Sequence, residues 1–360
     1  MDVFPTEAEI RGPLLAFLRD TLGPCEYAEP PTPMRPGNDT QVHAFSLGGI
    51  DEPLVLRVFR RGDDAARPVF EATLQNALAE QGLPVPRAIA IGSDPNVIGA
   101  PFFVMERSSG EPLYGDAIGT DDDGIPRANW RKFLQHAGDI LFGMPRLLAE
   151  VCLRIHAIDA KAVAAFLEAG GVPWQAITVE GRSAQLENRV EEFRLEGLRP
   201  AVEWLRENRP ASSFETSDVV VCHCDVQPLN LMMEGGELRG ILDWANAMIA
   251  PPELELGWTR AMYLTLELPL PGPLRLLERP IARLLSGRFS RSYERARPID
   301  LDAVGYYESF RSLFGLASLA EQVVRGVPIR DAWNSEAAVA RLVALVLART
   351  RLEVSIPWPR

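Results

Sequence analysis

The stretch from Val219 to Asp243, VVVCHCDVQPLNLMMEGGELRGILD, constrains the fold of this chain more than any other. Three consecutive valines read as a short buried strand, since a β-branched run with no polar face favours extended backbone. A loop rich in Asp, Gln, Pro and Asn follows. Two apolar runs, Leu229 to Met233 and Leu238 to Leu242, then flank Glu234-Gly235-Gly236-Glu237, a glycine turn that marks a hairpin. A strand that feeds a loop and then a hairpin brings the loop and the far hairpin strand out at one end, so Asp225, Asn230 and Asp243 converge. Two carboxylates and a carboxamide are hard oxygen donors of the kind that select magnesium. They also match what phosphoryl transfer asks of a protein: one carboxylate to orient and deprotonate a hydroxyl, and an amide with a second carboxylate to hold metal on phosphates.

The same stretch sets Cys222 and Cys224 around His223. Alternate strand residues point to opposite faces, so the two sulfurs would share a face with the histidine turned away. A zinc site would need more ligands, and the remaining candidates, Cys25, Cys152, His43, His136 and His156, show no paired spacing. The cysteines are therefore read as buried thiols, His223 as a side chain that hydrogen-bonds loop backbone, and His156, on an apolar helix, as a core histidine. Taken singly, Asp225, Asn230 and Asp243 also suit turns and caps.

Upstream, Thr6 and Glu9 form a capping-box signature before Ile10, Leu14, Phe17 and Leu18, which predicts an N-terminal helix despite Pro13. Between Met34 and Arg60 the texture is that of short strands, with Val55 to Phe59 bounded by Pro53 and Gly62. Pro68 opens a helix bearing Phe70, Leu74, Ala77 and Leu78, ended by Gly82 and Pro84. VPRAIAIG and APFFVMERSSG read as two further strands, and strands with one inserted helix make a small α+β lobe. Residues 116–129, with the run Asp121-Asp122-Asp123-Gly124, read as a solvated loop. Beyond it the chain is mainly helical: a buried helix over 147–158, an amphipathic one over 187–208, an Arg-rich one within 274–297, and closing helices over 300–325 and 335–352. At 360 residues, 47% of them hydrophobic, the chain can fill a sizeable core. A net charge of −12 argues against general nucleic-acid binding. The acidic N-terminus, the absence of any apolar run of 18 residues and the sparse cysteines are those expected of a cytoplasmic protein with no membrane segment.

HCDVQPLN followed by a hairpin and ILDW resembles the aminoglycoside phosphotransferase and choline kinase-like family of kinase-like enzymes. PGNDTQVHAF resembles that family's phosphate-covering hairpin, LVLRVF its charged strand, FEATLQNAL its helix with the ion-pairing Glu, LPVPRAIA and GAPFFVMERSSG its strands into the hinge, and RIHAID its helix before the catalytic loop. These segments span roughly residues 30 to 260 in the order the family requires. PPELELGW and YYESFRSLFGLASLAE look most like the branch that includes the kinase-like domains found with acyl-CoA dehydrogenases.

The resemblance implies an α+β, protein-kinase-like two-lobed fold: a small β-rich N-lobe over residues 1–107 that binds nucleotide, a hinge near 104–110, and a larger, mainly helical C-lobe over 108–360. It implies ATP and Mg2+ as cofactors and a small-molecule hydroxyl as acceptor, either an aminoglycoside-like antibiotic or a hydroxylated metabolite such as a hydroxyacyl-CoA. Asp225 would be the catalytic base and Asn230 and Asp243 the metal ligands. Arg57 would sit on the α and β phosphates, paired with Glu71; Glu106 and Arg107 would receive adenine through backbone groups; the turn bearing Gly37, Asn38 and Thr40 would close over the phosphates. The chain departs from the family pattern at Arg57, commonly lysine, at Cys224 and Leu229, usually glycines, and at Gln227, usually histidine. Ala250-Pro251-Pro252 replaces the family's Gly-Asp-Pro, and Glu255 stands for a later Asp. These departures leave a nucleotide-binding pseudokinase or regulatory module as the alternative.

Overall fold

The computed structural model describes residues 4–34, 40–120, 126–210, 218–265, 267, 276–326 and 335–358. Thr6 caps the first helix, α1 (Glu7–Leu22): Glu9 N–H donates to its hydroxyl while the Glu9 carboxylate accepts the Thr6 N–H at 2.7 Å. Its apolar stripe, Ile10, Leu14 and Leu18, is fully buried against the strands β1 (Tyr27–Pro33), β2 (Gln41–Leu47), β3 (Leu54–Val58), β4 (Ala88–Gly92) and β5 (Phe102–Glu106). These form one antiparallel sheet in the order β1-β2-β3-β5-β4. On β3, Leu54, Val55, Leu56 and Val58 are buried, and Arg57 is the half-buried exception that faces the cleft. The helix α2 (Ala66–Glu80), inserted between β3 and β4, packs on β4 and carries Glu71 into the interior.

After the hinge, β6 (Glu111–Pro112) does not stay with this sheet. It pairs with β10 (Leu231–Glu234), which pairs in turn with β11 (Glu237–Ile241) through the expected two-residue turn, Gly235 and Gly236 both at positive φ. The hairpin is tied to the N-terminal half of the molecule where Ile241 N–H donates to the Pro84 carbonyl at 2.8 Å. Residues 116–129 correct the loop expectation: β7 (Ile118–Thr120) and β8 (Pro126–Ala128) form a short antiparallel ribbon with Ile118 opposite Ala128. Segments of three residues carry too little alternation to register as strands. The acidic run at 121–123 lies outside the described residues.

The helical half begins earlier than expected. Asn129 caps α3 (Trp130–His156), whose second half is the predicted buried stretch. It is followed by α4 (Ala160–Ala169). The single helix expected over 187–208 is instead two, α5 (Val179–Glu192) and α6 (Arg199–Glu207). Arg194 adopts φ 52, which ends the first helix, and Pro200 sits in the first turn of the second. The buried strand β9 (Val220–Cys222) pairs with β12 (Met248–Ala250). Then come α7 (Pro252–Thr265), α8 (Glu278–Glu294), α9 (Leu301–Val324) and α10 (Glu336–Thr350). None of the described helices is long and apolar enough to cross a membrane.

α7 and α9 cross closely because Gly257 has no side chain: a Cβ there would lie 2.6 Å from Tyr307 Cβ and 2.8 Å from the Val304 carbonyl. Gly257→Ala is therefore expected to lower stability by about 2 kcal/mol in chemical denaturation, the usual scale of core overpacking. Gly287→Ala on α8, whose nearest neighbour would be Arg291 at 3.6 Å, is expected to leave stability unchanged or raise it. Equal midpoints for wild type and Gly257→Ala would refute the close crossing.

Candidate active site

The chain leaves β9 at Cys222 and turns sharply. Cys224 takes φ 62, a left-handed conformation that costs a non-glycine residue about 1 kcal/mol. Glu255, in the first turn of α7, holds this turn from below. Its fully buried carboxylate accepts the His223 N–H at 2.5 Å and the Cys224 N–H at 3.1 Å. Burial raises the carboxyl pKa of Glu255, and the His156 side chain and the loop amides outweigh that, so it remains below the ordinary range. His156 meets the core expectation through Nδ1, 2.6 Å from the Tyr293 hydroxyl, with Nε2 3.9 Å from Glu255 Oε2.

His223 orients the loop as expected. Nδ1 accepts the Asp225 N–H at 3.2 Å and Nε2 donates to the Leu242 carbonyl at 2.9 Å, the pattern of a neutral imidazole with its proton on Nε2. Burial lowers its pKa in the same sense. Its ring packs on Trp244 with centroids 4.4 Å apart. Leu242 N–H in turn donates to the Asn230 carbonyl at 2.8 Å. Leu242 is thus tied on one side to His223 and on the other to Asn230, and this places its neighbour Asp243 beside the loop.

Asp225 sits inside this frame. Asn230 Nδ2 donates to its backbone carbonyl at 2.9 Å and to its Oδ2 at 3.0 Å, and Gln227 Nε2 lies 3.2 Å from both carboxylate oxygens. Burial, with the like charge of Asp243 adding to it, pushes the Asp225 carboxyl up to about 7. Asp243 behaves oppositely. Its burial is outweighed by the Arg57 guanidinium, Nη2 to Oδ1 3.0 Å, which holds it below the usual carboxylate range. Asp243 also takes φ 65.

Arg57 Nη2 lies 3.3 Å from Glu71 Oε2 as well, and Arg67 Nε lies 3.2 Å from Glu71 Oε1. Glu71 is 1% exposed, and burial raises its pKa against the pull of both arginines. Both guanidiniums lie over the Phe59 ring. Asp225, Asn230, Asp243, Arg57 and Glu71 are therefore one contiguous constellation. Thr40 is buried just before β2. Gly37 and Asn38 lie outside the described residues. Glu106 and Arg107 are at the hinge, but their N–H groups already donate to the Arg87 and Pro53 carbonyls, at 2.9 and 3.0 Å. A cavity of about 620 Å³ opens beside them, lined also by Leu83, Ser108 and Arg239, and does not reach Asp225.

Three contributors escaped the sequence reading. Arg67 stands four residues before Glu71, a helical ion-pair spacing that was there to be used. Gln227 was noted only as a departure, yet it holds Asp225. Arg311, whose charge acts on Asp225, gives no signal, being the one cation of a largely apolar helix, α9. Cys222 and Cys224 do not form a shared sulfur site among the described residues; the ligand-type cluster is His156, Cys222 and Glu255, within 4.8 Å, and its carboxylate is already committed to the loop amides.

Comparison with known proteins agrees with this geometry. The model of the phosphotransferase enzyme family, APH, matches residues 32–299. Acyl-CoA dehydrogenase family member 10 of Mus musculus is 24% identical over 198 residues, which is 54% of this chain and 16% of the mouse protein. The chain therefore spans well under a fifth of that relative. A Ralstonia eutropha JMP134 protein assigned by name to the aminoglycoside phosphotransferases has a crystal structure 19% identical, covering 95% of this chain and 98% of its own, with TM-score 0.58. A thermostable mutant of aminoglycoside phosphotransferase APH(4)-Ia, in ternary complex with ADP and hygromycin B, is 17% identical over 92% of this chain and 97% of its own, TM-score 0.52. At these identities the two structures establish the α+β, kinase-like fold. The family match takes in the sheet bearing Arg57, the helix bearing Glu71, the loop and the hairpin ending in Asp243, and the chain belongs to the phosphotransferase enzyme family.

Proposed function

We propose that this protein transfers the γ-phosphoryl group of ATP to a hydroxyl of a small molecule, with Asp225 as the catalytic base. The observation that carries the reading is the unbroken run of contacts from Glu71 through Arg57 to Asp243, and from Asp243 through Leu242 to Asn230 and Asp225. Residues 1–107 would be the nucleotide lobe and 108–360 the acceptor lobe. Glu71 keeps Arg57 extended into the cleft, where its guanidinium meets the α and β phosphates as an arginine can, with two N–H groups in one plane. Glu106 and Arg107 would receive the base through carbonyl oxygens, since their N–H groups are engaged with Arg87 and Pro53.

The residues fit magnesium. Among the described residues, Asn230 Oδ1 and the second Asp243 oxygen have no protein partner, and both are hard donors. Asn230 and Asp243 would hold the ion, which would neutralise phosphate charge when bound. Asn230 and Gln227 fix the Asp225 carboxylate so that it accepts the acceptor's hydroxyl proton as the oxygen attacks phosphorus. A pKa of about 7 suits that task near neutrality. The APH(4)-Ia complex, with ADP and hygromycin B, supports a nucleotide and a hydroxyl-bearing molecule in one cleft. The name of the mouse relative points to acyl-CoA chemistry, hence to a hydroxyacyl-CoA rather than an antibiotic as acceptor. The alternative, a nucleotide-binding module without turnover, is favoured by the Arg57 to Asp243 ion pair, which occupies one of the metal-site oxygens.

Asp225→Ala is expected to lower acceptor-dependent ADP release by about a hundredfold or more while the ATP dissociation constant stays within a few fold. Nucleotide binding with no turnover over a broad set of alcohols, in wild type as in the variant, would favour the binding module. Arg57→Met is expected to raise the KM for ATP about tenfold or more with a smaller change in acceptor KM. The raised pKa of Asp225 gives a further prediction for nucleotide-free, metal-free protein. A carboxyl whose folded pKa lies near 7, against an ordinary 3.8, contributes stability that is complete below the lower value and lost as pH rises through the higher one. Asp225→Asn should therefore raise the melting temperature most at pH values above about 7, and the gain should close as pH falls towards 4. A gain that does not vary with pH would contradict the assignment.

A further inference from the structure

The Cys224 side chain packs into a core shared by α5, α7 and α9. Trp258 of α7 and Phe314 of α9 form adjacent rings there, centroids 6.2 Å apart. A guanidinium covers each: Arg311 lies 5.3 Å over Trp258, and Arg182 lies 5.8 Å over Phe314. Arg189 also reaches Phe314, but Glu321 neutralises it at 2.7 Å. Arg182 is bonded only to a neutral partner among the described residues, Gln185 Oε1 at 3.1 Å.

Arg311 is the unusual one. Among the described residues it has neither a hydrogen bond nor an ion pair, and its Nε is enclosed without a partner. Glu308, one turn earlier on the same helix, is in position to serve it but is held between Arg260 and Arg349, each at 2.6 Å. The chain also makes room for this guanidinium: a Cβ at position 315 would lie 2.7 Å from Arg311 Nη1, so Gly315 leaves the space that the cation occupies. Burial lowers the Arg311 pKa, and the charge of Asp225, acting beyond hydrogen-bond range, opposes it. A cation fixed by ring, helix and glycine, with no carboxylate at bonding distance among the described residues, is a site that a ligand completes.

We propose that the acceptor carries a carboxylate or phosphate group bound by Arg311, which sets its hydroxyl against Asp225. This rests on the phosphotransferase reading and narrows it. A polycationic acceptor would need free carboxylates at this place. The acids at the loop already have tasks in this reading: Asp243 meets Arg57 with one oxygen and the metal with the other, Asp225 is the base, and Glu255 holds the amides of His223 and Cys224. Arg311 binds an anion here, and Trp258 supplies the apolar floor beside it.

The test is calorimetric binding of four probes to the full chain loaded with AMP-PNP and magnesium: β-hydroxybutyrate, glycerophosphate, glycerol and kanamycin. At least one of the two anionic probes should bind about tenfold tighter than glycerol, and whichever does so identifies carboxylate or phosphate as the partner. Arg311→Gln should abolish the preference, Arg311→Lys should keep part of it, and Gly315→Ala, which displaces the guanidinium, should weaken it, all with AMP-PNP affinity unchanged. Partial retention by the lysine variant separates charge recognition from loss of folding. Anionic probes no tighter than glycerol, tighter binding of kanamycin, or a preference that survives Arg311→Gln would each overturn the proposal. Turnover of the bound anionic alcohol is read separately. Anion binding without turnover leaves the Arg311 site standing and counts against the phosphotransferase reading; turnover of glycerol or kanamycin alone does the reverse.

Discussion

A single buried carboxylate holds the site in shape. Glu255 accepts the amides of His223 and Cys224, and without that acceptor the loop would carry two enclosed, unpaired N–H groups and a left-handed cysteine with nothing to oppose its strain. The direction of Asp225 follows from this turn, because His223 can accept the Asp225 N–H only when its own backbone is fixed. A glutamate here in place of the expected aspartate adds one methylene of reach, and the proline pair at Pro251 and Pro252 that opens α7 brings the side chain to the loop without help from the acid usual just before it.

The two acidic residues of the cleft are held in different protonation regimes by different neighbours. Asp243 meets a guanidinium and stays ionised; Asp225 meets a like charge and burial and is poised to exchange a proton. The contrast is what a base and a cation ligand require of the same side-chain chemistry. Arg57 ties Asp243 to the N-terminal sheet, since the guanidinium that depresses Asp243 also meets Glu71, which Arg67 pairs as well.

Much of this was legible in the sequence. The capping box at Thr6, the glycine turn at Gly235 and Gly236, and the order of strands around Arg57 each express local chemistry, and the structure reproduces them. Periodicity failed where tertiary packing decides. The break at Arg194 is a backbone reversal inside an otherwise amphipathic run, and the ribbon at 118–128 is too short to alternate. Side-chain partnerships made across distant segments were unreadable for the same reason: nothing near Arg311 in the chain announces Trp258 beneath it, and nothing near Glu255 announces the loop above it.

The strand β6 leaves the hinge and is at once paired with β10, and Ile241 is bonded to Pro84 of the other half of the molecule. The hairpin that ends in Asp243 is therefore anchored within its own half by β6 and to the N-terminal half by Pro84, two residues short of that aspartate. Any displacement of the small lobe that keeps the Pro84 bond must carry the base of this ribbon with it, so the carboxylate at its end travels with the sheet that bears Arg57 instead of parting from it.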